Sequence, residues 1–378
     1  MQGILFAAII MLAFYAGTNY YIAKRAYQWL NLFLPHINGI VFTVLYICIA
    51  FSIVFGFLPV PSGIKRIISW ISSHWMGVYV YLLMLILLTD LLFVIANTIK
   101  VIPFPAPRHI SMCAGLMVIA MTAGLTGYGI HNARTINRVS YTIQTNKDAY
   151  PAGITIALIS DLHLGAVNSE NNLSRIVQGI NDARPDIVCI AGDIFNDDLN
   201  ALRQPSQVID LLRSIEAPYG VYACLGNHDG GKTFREMLRF LERSNIRLLN
   251  DEYVIVDDRL VICGRVDPSP IGGFGGLERK ETADIILPAG KLPVVVMDHN
   301  PANIEQYGNE VDLILSGHTH QGQIFPANLV TRSIFVVDYG HYQKDADSPH
   351  VIVTSGAGTW GMPMRIGTRN EIVSITLQ

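Results

Sequence analysis

Histidines, aspartates and one asparagine recur in short clusters, each at the end of an apolar run. SDLHLG sets Asp161 and His163 at the close of Ile154 to Ser160, and AGDIFND sets Asp193 after Ile187 to Ala191. LGNHDG places Asn227, His228 and Asp229 after Val221 to Leu225, MDHNP places His299 after Val294 to Met297, and SGHTHQG places His318 and His320 after Leu313 to Ser316. Imidazole nitrogens mixed with carboxylates and an amide oxygen suit Mn, Fe or Zn, not an all-oxygen Mg or Ca cage. Two ions held close together need a bridging carboxylate, and Asp193 is central in the series. Such a pair polarises phosphoryl oxygens, lowers the pKa of a shared water and holds attacking and leaving oxygens in line.

For these side chains to meet, the runs before them must be neighbouring strands. Continuous apolar runs are the pattern of strands covered on both faces. Between the early ones, Leu173 to Ala183, Val208 to Ile215 and Thr233 to Arg243 have helical spacing. That alternation predicts a layered α/β domain, a β-sheet sandwich flanked by helices over 154–378, with its site at the carboxyl ends of the strands. From Ile324 onward the pattern is mostly strand, and Ile271 to Gly276, with four glycines, reads as a mobile loop.

The first 130 residues differ. Up to His131 the charged side chains are Lys24, Arg25, Lys65, Arg66, Asp90, Lys100 and Arg108 alone. Apolar stretches run over Gly3 to Ala23, Asn38 to Leu58, Met76 to Ala96 and Ile110 to Ile130, each about the length a bilayer-spanning helix needs. Residues 1–130 are therefore expected to form a transmembrane region of four helices in a multi-pass cell-membrane protein, with 131–153 as a connector. The polar links Lys24-Arg25, Pro59 to Arg66 and Lys100 to Arg108 read as interfacial loops. Asp90 stands inside the third stretch with no evident partner in the others, which favours a packing or protonated role over transport. The five cysteines are scattered singly and suggest neither disulfides nor a thiolate metal site. After residue 130 there are 29 acids and 21 bases, a balance that argues against nucleic acid as a partner.

The ordered set DLH, GD, GNHD, a lone His and GHTH resembles the calcineurin-like metallophosphoesterase superfamily in every block, from Ile154 to the C-terminus. SDLHLG and SGAGTWGMPMRIG are most similar to its bacterial membrane-associated phosphoesterases. The resemblance implies a binuclear centre of two divalent ions. Asp161, His163 and His320 would hold one ion, Asp193 would bridge, and Asn227, His299 and His318 would complete the other. His228 would protonate the leaving oxygen or stabilise transition-state charge, with Asp229 orienting its ring. Arg365 could clamp a substrate phosphate or form a structural salt bridge. His131, His341 and His350 fall outside the motifs, and Asp197, Asp198 and Asp267 read as solvated surface.

The expected activity is hydrolysis of a phosphomonoester, phosphodiester or pyrophosphate bond in a lipid-linked or membrane-adjacent substrate, with the bilayer as partner. The alternatives are a phosphodiesterase on a soluble nucleotide or cell-wall phosphodiester, and a membrane receptor or transporter with a ligand-binding metal domain. Four spans put both ends on one side. Lys24-Arg25 after the first span favours the outside for both, whereas Arg134 and Arg138 against Arg108 at the fourth favour the inside. Dominance of the first helix gives an extracytoplasmic catalytic domain.

Overall fold

The computed structural model describes residues 2–56, 58, 60–145, 153–168, 170–285 and 292–378. The chain divides into two compact units, Met1–Gly129 and Ile130–Gln378. Position 57 of the second apolar stretch, position 59 of the second polar link and 146–152 of the expected connector 131–153 lie outside the described residues, as does Met1.

The first unit is helical. Helices α1 (Gln2–Phe33), α2 (Gly39–Ala50), α3 (Ser52–Phe55), α4 (Ser62–Thr98) and α5 (Arg108–Asn132) follow in order, the last running into the second unit. Among the described residues, three contain segments long and apolar enough to cross a membrane, Phe6–Phe33, Gly63–Thr98 and Arg108–Asn132. The second apolar stretch is not such a segment, which corrects the expected count of four. It breaks at Phe51, and the 12 residues of α2 reach only about 18 Å at the helical rise, short of a hydrocarbon core of about 30 Å. Ile22 and Trp29 of α1 pack with Tyr79 and Ile86 of α4 and Val118 of α5. Gly115 permits that approach, since a Cβ there would lie 2.8 Å from Trp29 Cγ. Asp90 does have partners, both on α1. Arg25 pairs with it, and Tyr21 donates to its Oδ2 at 2.5 Å. At membrane depth this pairing removes much of the cost of an isolated carboxylate.

The second unit is a sandwich of two six-stranded sheets. Its elements are β1 (Ile136–Ile143), β2 (Ile154–Ile159), α6 (Glu170–Ala183), β3 (Ile187–Ala191), α7 (Pro205–Arg213), β4 (Val221–Cys224), α8 (Phe234–Arg243), β5 (Ile246–Leu248), β6 (Glu252–Val256), β7 (Leu260–Gly264), β8 (Val294–Met297), β9 (Leu313–Ser316), α9 (Ala327–Ile334), β10 (Gly340–Tyr342), β11 (His350–Val353) and β12 (Asn370–Leu377). The sheet orders are β1-β12-β2-β3-β4-β5 and β10-β11-β9-β8-β7-β6. The expected connector thus contains a strand, β1, which pairs in parallel with β12 from Ile136↔Asn370 to Ile143↔Leu377.

Side chains alternate along each strand, so one apolar run serves two cores. Ile156 and Leu158 of β2 face Leu260, Ile262, Val295 and Met297 between the sheets. Ala157 and Ile159 face Ile176 and Ile180 of α6 on the outer side. A third core, with Val261, Val296 and Ile314, covers the outside of the second sheet. Full burial of each such side chain contributes about 1.5–3 kcal/mol, which makes the strands stiff supports for the loops at their ends.

Candidate metal centre

Strands β2, β3 and β4 are parallel neighbours in one sheet, and β8 and β9 are parallel neighbours in the other. Their carboxyl ends carry Asp161 and His163, Asp193, Asn227 and His228, His299, and His318 and His320. The loops after β2 and β3 form a short ladder, with Asp161 N donating to Gly192 O and His163 N to Asp193 O, both at 3.0 Å. The two sheets are joined at the site by His299, whose Nδ1 lies 2.8 Å from Ala191 O. Gly192 makes room for that ring: its φ is +80°, and a Cβ would lie 2.6 Å from His299 Nδ1. Asp161, His163, Asp193, His318 and His320 all have left-handed backbone, with φ between 44° and 69°. Non-glycine residues adopt that conformation at a cost, and five of them together mark a functional site.

The side chains gather into two groups that could each hold an ion, Asp161 with His163 and His320, and Asp193 with His299 and His318. In the first, His163 Nε2 lies 3.0 Å from His320 Nε2, which is 3.3 Å from Asp161 Oδ1. In the second, Asp193 Oδ2 lies 3.2 Å from His299 Nε2 and also 3.6 Å from His163 Nε2, so one carboxylate reaches both groups. Asn227 Oδ1 is 2.9 Å from His318 Nδ1. Backbone amides steady the acids: His228 N donates to Asp193 Oδ1 at 2.8 Å, and His318 N reaches both Asp161 oxygens at 3.2 Å.

The protonation pattern tests whether cations fit. A carbonyl only accepts, so His299 Nδ1 must carry the hydrogen that bonds Ala191 O, and Nε2 is the ring nitrogen that faces the Asp193 carboxylate. Nε2 is buried without a hydrogen-bond partner. Burial alone would lower the His299 imidazole, but the charge of Asp193 holds it well above its ordinary value, so Asp193 favours a positive charge between the two, a proton or a metal cation. Burial lowers His163 to about 3, and burial together with the charge on His299 lowers His318 to about 4. Burial and the nearby Arg365 guanidinium take His320 well below the usual range. These three rings are neutral near pH 7, the state a metal ligand requires. Burial tends to raise the Asp193 carboxyl, but His299 and His163 hold it far below the carboxylate range. Burial and the charge of Asp193 push Asp161 up to about 6 against the opposing charge of His299. The residues therefore fit two divalent cations.

His228 sits beside this centre, its ring 5.1 Å from that of His163. Its orienting carboxylate is Asp197, with Nδ1 to Oδ1 at 2.8 Å, and not Asp229. Asp229 is fully buried and accepts from Phe195 N and Gly226 N, both at 2.8 Å, which braces the β3 and β4 loops against each other. Burial would depress His228, but the Asp197 hydrogen bond and the charge of Asp193 raise it. Burial and then Asp193 push Asp229 up to about 7.

Among the described residues Arg365 makes no salt bridge. It is fully buried, and it donates to Asn370 Oδ1 at 2.7 Å, His320 O at 2.8 Å, Ser355 O at 2.6 Å and Gly358 O at 2.8 Å. Its role is to hold the His320 loop against the segment after β11. Asp267 is also buried, with Oδ2 unpartnered, where a surface residue was expected; Asp198 caps a short turn through Asn200 N. His341 and His350 bond one another at 2.9 Å. The glycine loop is tied to the site, with Ile271 N bonded to Asn227 O and Gly231 N to Gly273 O, both at 2.8 Å, and with Phe274 buried. Asn168, missed in the sequence, holds the DLH loop through Leu162 O and His163 O at 3.1 Å and Thr359 O at 2.7 Å.

The profile of the calcineurin-like phosphoesterases matches residues 154–322. A metallophosphoesterase of Aquifex aeolicus is 32% identical over 240 residues, covering 63% of this chain and 90% of that one. One from Campylobacter jejuni is 27% identical over 395 residues, covering 99% and 98%. A Danio rerio protein described as a transmembrane protein with a metallophosphoesterase domain is 28% identical over 70% of this chain, which spans 62% of its length. The chain belongs to the calcineurin-like metallophosphoesterase family and is a metal-dependent phosphoester hydrolase.

Proposed function

We propose that this is a multi-pass, membrane-anchored two-metal phosphoesterase acting on a phosphomonoester, phosphodiester or pyrophosphate bond of a lipid-linked or membrane-adjacent substrate. The observation that carries the reading is the Asp193 carboxylate within reach of both histidine groups, beside His228. Asp161, His163 and His320 would hold one ion and Asn227, His299 and His318 the other, with Asp193 placed to serve both. Mn, Fe or Zn suit these donors. When bound, the ions supply Lewis acidity toward the phosphoryl oxygens and the attacking water. The protein's part is to keep the ligand rings neutral, to fix the carboxylates with backbone amides, and to deliver a proton. His228 donates its Nδ1 proton to Asp197, which leaves Nε2–H free for the leaving oxygen.

Orientation follows from the number of crossings. With four, the charges at the first and last spans disagree. With three, they agree. Lys24, Arg25, Lys65, Arg66, Arg134 and Arg138 then share one side, and Lys100 and Arg108 the other, so the catalytic domain is cytoplasmic. This reading favours the side opposite to the one that four spans with first-helix dominance give.

The test of the activity is detergent-solubilised protein with bis(4-nitrophenyl) phosphate, before and after chelation and reloading with Mn, Fe or Zn. Nitrophenol release that disappears on chelation and returns with metal is expected. Metal-loaded protein that binds two equivalents yet hydrolyses no phosphoester would sink the proposal.

A further inference from the structure

Two aromatic side chains stand against the histidines of the metal centre. The Trp360 ring is 5.8 Å from that of His228, and Phe335 is 6.1 Å from His318. Trp360 is 50% exposed, an unusual state for a large apolar ring at a polar cleft. Its loop is held by one buried side chain, Gln323, whose Oε1 accepts from Trp360 N at 2.7 Å and whose Nε2 donates to the carbonyls of Trp360 and Met362 at 2.9 Å. Ile324 lies opposite Ile366 in a parallel bridge, with Ile366 N donating to Gln323 O at 3.2 Å and Phe325 N to Ile366 O at 2.8 Å, so the Trp360 loop is joined to the segment leading into α9.

The surface there is apolar. Phe325, Leu329, Val330 and Ile334 are exposed by 45% to 68%, and no residue of α9 is buried. From Gln323 to Val337 the one charged side chain is Arg332. The hydroxyls present are already bonded: Thr331 Oγ1 bonds Asn328 O and Asp338 Oδ2, and the exposed Ser333 Oγ bonds Val330 O. A sugar or nucleotide lying here would meet few free hydrogen-bonding groups, whereas a hydrocarbon chain would leave water at every position. Soluble surfaces seldom expose so many large apolar side chains together unless they bind something.

We infer that this rim seats the apolar part of an amphiphilic substrate, a phosphoester carrying a lipid-like chain, with Trp360 as a specificity-determining contact. The inference rests on the phosphoesterase reading and names its substrate class. Each methylene removed from water is worth about fourfold in affinity at full burial, so even partial seating of a long chain gives a measurable preference.

The experiment uses the full chain in lipid nanodiscs with three diesters, the 4-nitrophenyl esters of methyl phosphate, octyl phosphate and thymidine 5′-monophosphate. In each, water adds to phosphorus and nitrophenolate leaves. The octyl ester is expected to exceed the methyl ester in kcat/KM by about tenfold or more. Trp360→Ala should bring that ratio toward one, the double variant Leu329→Ser with Ile334→Ser should reduce it, and Trp360→Phe should keep most of it. The ratio within each variant cancels any general loss of folded enzyme, and comparing that ratio between variants cancels the partition of the octyl chain into the bilayer, which is the same for all of them. Equal use of the two alkyl esters, or variants that slow both alike, overturns the inference. So does a preference for the thymidine ester that Trp360→Ala removes, which would make the ring a base-stacking platform. Failure to hydrolyse any of the three would overturn the underlying phosphoesterase reading, and the rim with it.

Discussion

Replacing Asp197 or Asp229 by alanine separates two roles that sequence adjacency merges. Asp197 bonds His228 Nδ1 at 2.8 Å and its side chain is 47% exposed, so water can screen the pair and reach the vacated place, and its removal should cost less stability than the loss of a fully buried acceptor. It does leave the ring without an orienting acceptor, a loss on the scale of about 10- to 100-fold in turnover for such supporting carboxylates. The pH profile carries the signature. A His228 pKa raised in the folded protein keeps the ring protonated to higher pH, so activity that needs a proton donor falls as pH rises through that value. Without Asp197 that basic limb should move to lower pH. Asp229→Ala should do something different, because two buried amides, Phe195 N and Gly226 N, lose their acceptor. At about 1–3 kcal/mol for each orphaned group, roughly 2–6 kcal/mol of stability is at stake. That corresponds to a Tm lower by roughly 5–20 °C in a domain of this size. The assays are thermal denaturation of both variants and kcat against pH with metal content matched. An Asp229→Ala protein of native Tm with a shifted basic limb, beside an Asp197→Ala protein with native kinetics, would refute the assignment.

Asp193→Asn should abolish turnover and lower bound metal in both groups; elemental analysis showing two full equivalents at near-native rates would remove the bridging role. His228→Ala should keep both metals while turnover falls by about 100-fold or more, and metal loss on the same variant would make it a ligand. Arg365→Met should lower Tm and weaken metal retention through His320, because three carbonyls lose a buried donor; an effect confined to KM would restore the substrate clamp. A fluorescent reporter that folds only in the cytoplasm should light up when fused after Gln378, and alkaline phosphatase fused there should be inactive; the opposite pair of results would restore an outward-facing domain.

The sandwich was legible where the strands declare themselves locally. Continuous apolar runs such as Ile187–Ala191 and Val294–Met297 need no partner to be recognised, and the polar residues just after them show which end of the sheets carries the site. β1 was hidden for the opposite reason. INRVSYTI is exposed enough to read as a connector, and what makes it a strand is β12, whose Asn370 pairs with Ile136 from the far end of the domain. Long-range pairing leaves no local trace. The second apolar stretch misled by composition, since hydropathy does not register the break at Phe51 that divides it into α2 and α3.

At the site, residue type foretold which side chains converge, while the partners of each had to be seen. Asp229 adjoins His228 in sequence, yet its carboxylate is spent on two backbone amides; Asp197, 31 residues earlier, points at the ring. Arg365 stands out in the sequence because a cationic fork near phosphate chemistry suggests a clamp, whereas in the structure the guanidinium is buried and bonds an amide oxygen and three carbonyls. The same reasoning bears on the left-handed backbone at Asp161, His163, Asp193, His318 and His320. Each such residue costs of order 1–3 kcal/mol, and the cost is met by bonds that no local pattern displays, from Arg365 to the His320 loop, from Asn168 to the DLH loop and from Asp229 to the β3 loop. The ligand types are therefore written in short motifs, but the strain that aims them is sustained by residues scattered from 168 to 365, and those supports are the positions at which a variant can lose metal without touching a ligand.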